Sequence, residues 1–188
     1  MRPIHLTPPE VLYRDPHQQI YRVTADFGTF RKQYYVNDTG VRAGIVAVRA
    51  GSVLLVRQYR LLINDVSWEI PGGRVDEGET PVAAAVRECL EETGVRCRDP
   101  QPLVFYHMGM DISRNPTHVF YSTDVIQESP PPTFGPEAIG CEWVSLARCE
   151  QMIREAKIVD GLTVLGLLAY GRLVLGVQVQ ESVPQLNS

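Results

Sequence analysis

Residues 73–95, GRVDEGETPVAAAVRECLEETGV, constrain the chain more than any other stretch, because they specify a helix whose charges contradict its own local chemistry. Thr80 suits the cap that opens a helix, and Pro81 follows at a position where a missing N–H costs nothing. Gly94 suits the left-handed residue that closes one. Val82, Val86, Cys89 and Thr93 recur at helical spacing with Ala85 and Leu90 beside them, which predicts a narrow core-facing stripe. Glu88, Glu91 and Glu92 share one face; Glu88 and Glu92 are separated by about 6 Å of rise and about 40° of rotation. Like charges at that spacing repel, and the C-terminal end of a helix dipole disfavours anions. A divalent metal held by carboxylate oxygens resolves the conflict best. On these three residues alone, a solvated acidic face stays open as the alternative. Ala83, Ala84 and Ala85 leave the preceding turn without bulk, which predicts room for a ligand or metal to approach.

A length of 188 residues permits one domain with a real core and an appendage. The net charge of −4, with no basic stripe, argues against coating a nucleic acid. The most apolar segment, 161–177, is short for a bilayer and contains Arg172, so no membrane span is expected. The first residues lack the apolar run of a signal peptide. Cys89, Cys97, Cys141 and Cys149 form neither a CxxC pair nor a zinc spacing, which favours a cytoplasmic protein with reduced thiols.

Along the chain, the proline-rich residues 1–18 predict a loosely held arm. Alternation over 20–36 predicts two antiparallel strands turned at Asp26–Phe27–Gly28. Residues 41–48 and 52–59 read as a hairpin with a buried second strand, and 68–70 as a short strand stopped by Pro71–Gly72–Gly73. Strands over 95–106 and 117–125 flank a polar loop, 107–116. A proline-rich loop, 127–136, precedes a last strand over 141–146. Helices follow near 146–156 and 161–175, the second apolar nearly all round and so packed against the sheet or another subunit. Residues 181–188 read as a frayed tail.

The spacing of residues 73–95 resembles the Nudix hydrolase box, G-x5-E-x7-R-E-U-x-E-E-x-G-U, in which U is bulky and apolar. Gly73, Glu79, Arg87, Glu88, Glu91, Glu92, Gly94 and Val95 fall on the pattern, and Cys89 at the first U is the one soft departure. The resemblance implies an α/β fold, a Nudix α/β/α sandwich with a mixed central sheet and a small N-terminal antiparallel β subdomain. Residues 1–38 would form the arm and the strands used in dimerisation, 39–178 the hydrolase domain, and 179–188 the tail. It implies hydrolysis of a nucleoside diphosphate linked to another moiety. Mg²⁺, or Mn²⁺, would be bound by Glu88, Glu91, Glu92 and the carbonyl of Gly72, and Glu79 would support the loop through a salt bridge to Arg87. Glu91 and Glu92 would also act in catalysis.

Beyond the box, VLLVRQYR and WEIPGG resemble the branch that cleaves ADP-ribose and other nucleotide sugars. Arg60 would then reach the substrate phosphates and Glu69 would stand beside the metal, or pair with Arg60 or Arg74. Met108 occupies the place of that branch's proline, which leaves ADP-ribose, GDP-mannose and related diphosphates as candidates. Asp111, Arg114 and His118 are candidates for contacting the variable moiety. Glu137 is the candidate loop base. Tyr21, Phe27, Phe30, Tyr34 and Tyr35 either sandwich a base or pack the small sheet, and Tyr34 is carried forward as a substrate contact. The branch implies a homodimer. Hydrolysis of a noncanonical nucleoside triphosphate and a ligand-sensing module are the competing functions.

Overall fold

The computed structural model describes residues 2–130 and 138–176; Glu137 and the expected tail 179–188 lie outside the described residues. An N-terminal sheet contains β1 (His5–Leu6), β2 (Glu10–Arg14), β3 (Gln19–Asp26) and β4 (Arg31–Asp38). β3 and β4 pair antiparallel from Gln19↔Asp38 to Asp26↔Arg31. Asp26 closes the expected turn by accepting from the Gly28 amide at 2.8 Å, and the rings of Phe27 and Phe30 stack at 4.7 Å. Residues 1–18 differ from the expected loose arm: β1 and β2 both pair with β3, which satisfies backbone groups that the edge would otherwise expose. Prolines read as loop formers here only flank short strands.

The central sheet is built on β5 (Arg42–Arg49) and β6 (Ser52–Arg60). They pair with each other only at Val48↔Val53 and Arg49↔Ser52, next to their turn, and then diverge. β5 continues between β12 (Pro116–Ser122), parallel to it, and β8 (Gly72–Arg74), antiparallel. β6 continues between β7 (Asp65–Glu69) and β14 (Ala138–Ser145), both antiparallel. The seven-stranded sheet, closed at one edge by β10 (Gln101–His107), is therefore mixed, as expected. The expected hairpin is present only at its tip. Its opening gives Pro71 and Gly72 a place between the two strands.

Period-two alternation distributes β5 over two cores. Ala43, Ile45 and Ala47 face α1 (Pro81–Thr93), in a cluster with Leu54, Ala84, Ala85, Cys89 and Val95. Val46 and Val48 face the other way, packing with Leu55, Ile70, Cys149, Ile158 and Leu167 under α2 (Leu146–Arg154) and α3 (Gly161–Ala169). Helices thus cover both faces of the sheet. The expected room at Ala83–Ala85 has a different use: Ala84 and Ala85 are fully buried, and their small side chains let α1 lie close on β5. α3 runs into a π-helical turn, Tyr170–Val174, and buries Leu167 while leaving Leu168 and Leu173 exposed, so it is not enclosed all round. Two further short pairings complete the fold. β9 (Val95–Arg98) pairs with β13 (Asp124–Gln127), and β11 (Ser113–Arg114) ties the 107–116 loop to β4. No described helix is long and apolar enough to cross a membrane.

Candidate active site

The caps of α1 are those expected. The Thr80 side chain accepts from the Ala83 amide at 3.3 Å, and Gly94 closes the helix at φ 72° with its N–H on the Leu90 carbonyl. These caps set where the acidic turn ends, against β8 and the end of β6. Arg87 then organises the loop. Its Nε and Nη2 donate to the two oxygens of Glu79 at 3.0 Å, and Nη2 also donates to the Arg74 carbonyl at 3.1 Å. Its Nη1 donates to Glu88 and Glu91, each at 3.0 Å. The Glu79 pair is the first cause that holds the Arg87 guanidinium well above its ordinary range.

The three glutamates of the acidic face have unlike surroundings. Glu91 is exposed and turned to Arg87. Glu88 is half-buried; burial raises its carboxyl, and Arg87 offsets only part of that. Glu92 has no cationic partner among the described residues. It accepts from Gln58 Nε2 at 2.7 Å and from the Gly72 amide at 3.1 Å. Burial nevertheless pushes its carboxyl up to about 7, with Glu88 and Glu69 adding repulsion. Gly73 makes this packing possible. A Cβ there would stand 2.3 Å from Glu88 Oε1, so the glycine is the space into which the carboxylate fits.

Does this arrangement suit a divalent ion? The donors are all carboxylate oxygens, the set a hard cation takes, and Glu92 makes no ion pair among the described residues. Among the described residues, however, no three Asp, Glu, His or Cys side chains stand close enough to hold an ion as they are. Glu88 and Glu91 are both held on Arg87 Nη1. An ion shared with Glu92 would have to compete with that guanidinium for both carboxylates. Gly72 enters the site through its amide, which holds Glu92.

A cleft of about 370 Å³ opens beside Gly72, large enough for part of a nucleotide. Arg60 and Glu69 stand at it as a bidentate pair, Nε to Oε1 at 2.7 Å and Nη2 to Oε2 at 2.5 Å. Of the partners expected for Glu69, Arg60 is the one seen. Arg60 Nη1 makes no hydrogen bond among the described residues, so one side of the fork still faces outward. Arg42, Tyr106, Asn115 and Asp160 line the same cleft, and none was singled out from sequence. Arg42 makes no ion pair among the described residues, and Asn115 Oδ1 is buried without a partner. Only Asp160 carried a local signal, as an acid directly before an apolar helical run. It caps α3 through the Thr163 amide at 2.8 Å.

Tyr34, Asp111, Arg114 and His118 do not line this cleft. The Lys32 ammonium sits over the Tyr34 ring at 4.6 Å, within the N-terminal sheet. Asp111 is exposed on the loop. Arg114 donates to Asp38 at 2.7 Å in a separate hollow, and the His118 ring packs against Phe105.

One buried relay joins Asp160, at the cleft, to the segment between β7 and β8. The Ile70 amide donates to Thr163 Oγ1 at 2.9 Å, and that hydroxyl donates to Asp160 Oδ2 at 2.7 Å. Thr163→Val keeps the volume but leaves a buried N–H unpaired, which costs about 1–3 kcal/mol. Urea denaturation should show that loss as a lower midpoint at unchanged slope.

A NUDIX domain model matches residues 38–161. The chain is 30% identical over 138 residues to the CMP-5'-(N-acetyl-N-hydroxy-3-aminopropyl)phosphonate hydrolase of Streptomyces rubellomurinus, covering 73% of this chain and 66% of that protein. It is 26% identical over 98 residues to the ADP-ribose pyrophosphatase of Bacillus subtilis, covering 52% and 53%. The matches thus span between about half and just under two thirds of these relatives' lengths. A crystal structure of an ADP compounds hydrolase shares the fold at a TM-score of 0.80 and 21% identity, over 94% of this chain and 96% of that one.

Proposed function

Because the chain belongs to the NUDIX family, we propose that it hydrolyses the pyrophosphate bond of a nucleoside diphosphate linked to a further moiety, a nucleotide sugar or a close relative. The products are a nucleoside monophosphate and the phosphorylated remainder. One observation carries this reading. Glu92 is a half-buried carboxylate repelled by Glu88 and Glu69 and in no ion pair among the described residues, beside a cleft whose walls bring Arg42 and Arg60. A divalent ion bound there, Mg²⁺ or Mn²⁺, supplies charge neutralisation for the diphosphate and a more acidic water.

The chain's own residues do the rest. Arg87 holds the glycine loop to α1 through Glu79 and gives up Glu88 and Glu91 to the site. Gly72 orients Glu92 with its amide. Arg42 and the free side of Arg60 take phosphate oxygens, for which a guanidinium fork is well shaped. Glu69 keeps Arg60 in place. Asp160 and Asn115 offer acceptor oxygens to hydroxyl groups of the moiety. Glu137 is the proposed loop base, with Glu91 and Glu92 acting beside it. Asp111 and Arg114 become substrate contacts only if their loop moves. Residues 1–38 are the proposed dimerisation element, bringing Tyr34 of one copy toward the other, and 39–178 the hydrolase domain. The proposed setting is cytoplasmic.

Turnover of ADP-ribose, GDP-mannose, UDP-glucose and a CMP-linked phosphonate, with Mg²⁺ or Mn²⁺, tests this reading by phosphate release after added phosphatase. The phosphonate joins the panel because the Streptomyces relative is named for one. Cleavage of at least one compound, lost in EDTA, is expected. Pyrophosphate release from nucleoside triphosphates, with none of these compounds cleaved, would replace the proposal.

A further inference from the structure

A second hollow, of about 290 Å³, opens between the N-terminal sheet and β8 and shares no lining residue with the main cleft. Arg14, Arg74 and Arg114 line it together with Asp15 and Asp38. Its carboxylates are already engaged. Asp15 Oδ1 accepts from the His17 and Gln18 amides at 2.7 and 2.9 Å, and Oδ2 accepts from the Tyr13 hydroxyl at 3.0 Å. Asp38 accepts from the Gly40 amide at 3.0 Å and from Arg114 Nη1 at 2.7 Å.

Two of the guanidiniums are not engaged in this way. Arg74 gives only Nη1, to the carbonyls of Pro16 and His17 at 2.9 and 3.4 Å. Arg14 gives only Nη2, to Gln19 Oε1 at 2.9 Å. Neither has a carboxylate partner among the described residues. A guanidinium carries five N–H donors in a rigid fork, so most donors of both residues remain free at one hollow. Neutral ligands leave that charge uncompensated. A tetrahedral oxyanion matches both the charge and the number of donors.

We propose that this hollow is a second binding site, for inorganic phosphate or a small phosphomonoester, held by Arg14 and Arg74 with Arg114 alongside. The site stands apart from the reaction but not from the loop that serves it. The Arg74 carbonyl accepts from Arg87, whose guanidinium also holds Glu79, Glu88 and Glu91. An occupant that orders Arg74 therefore braces the strand that begins at Gly72–Gly73.

Titration calorimetry of the metal-free chain in EDTA, with inorganic phosphate and separately with ribose 5-phosphate, tests the site. EDTA leaves the acidic face of α1 uncompensated, so phosphate is repelled there. One equivalent of at least one anion should bind. Tighter binding of phosphate identifies the free ion as the ligand, and tighter binding of the ester identifies the ester. Arg14→Gln should weaken binding at least tenfold. Arg74→Lys, which keeps the charge and loses the fork, should do so as well, and serves alone if the first variant does not fold. Arg42→Gln, in the main cleft, should leave binding within twofold. Absence of binding by both anions, unchanged binding in both arginine variants, or loss confined to Arg42→Gln would overturn the proposal.

Discussion

Glu92→Gln should lower turnover about a thousandfold, the upper scale for removing one group aimed at developing charge, while raising the stability of the metal-free protein at alkaline pH. Both effects come from one fact: Glu92 is half-buried near Glu88 and Glu69, with hydrogen bonds but no ion pair among the described residues. Its folded pKa of about 7 lies above the ordinary glutamate value of about 4.3. Its favourable contribution is therefore full below about pH 4.3 and is lost as pH rises through about 7. Glutamine does not ionise, so the variant is spared that loss. One of its two hydrogen bonds is weakened, because an amide offers a single acceptor oxygen, but that cost does not vary with pH. The stability gap between variant and wild type should widen in the variant's favour by about 2–3 kcal/mol between pH 4.5 and 8. Thermal denaturation in EDTA across that range reads it directly. Adding Mg²⁺ at pH 8 should raise the wild-type Tm by mass action and have little effect on the variant. A gap that stays constant with pH would mean that Glu92 is not the strained carboxylate of this site.

The adjacent glycines should respond to alanine in opposite ways. In Gly73→Ala, the new Cβ would lie 2.3 Å from Glu88 Oε1 and 2.5 Å from its Cδ. The neighbour is the end of a flexible side chain, so the fold survives by displacing the carboxylate. Turnover should fall about a hundredfold, as for a misplaced catalytic group, with a Tm loss of a few degrees. In Gly72→Ala, the Cβ would meet the Ala43 carbonyl oxygen at 2.6 Å and the Gly44 Cα at 2.7 Å. Those are backbone atoms of β5 in the middle of the sheet and have nowhere to go. Several kcal/mol of stability should be lost there, the scale of overpacking a core, before any question of turnover arises. Equal Tm losses in the two variants would show that Gly73 serves the backbone and not Glu88.

Much of the site's scaffold was legible in the chain. The α1 caps follow from Thr80, Pro81 and Gly94, because capping acts over three or four residues and so leaves a local pattern. The acidic conflict of Glu88, Glu91 and Glu92 was legible for the same reason. The fates of the three glutamates were not. Arg87 reaches Glu79, Glu88 and Glu91 and leaves Glu92 out, and that depends on how far α1 lies over β8. The packing role of Ala84 and Ala85 is not legible in the chain, because nothing in a helix shows that β5 will lie against that face. Arg42, Tyr106, Asn115 and Asp160 come from β5, β10, the residue before β12 and the cap of α3. No periodicity links residues so far apart.

By itself, then, the stretch from Gly73 to Val95 determined the family, since its pattern is carried by spacings within one loop and one helix. The tertiary structure decided which glutamate stays unpaired, that Arg60 is shared with Glu69, and that Arg114 stands in a different hollow from the cleft. It did so because β5 and β6 separate after two pairs of residues, and the position of every side chain between them is set by partners far away in the chain.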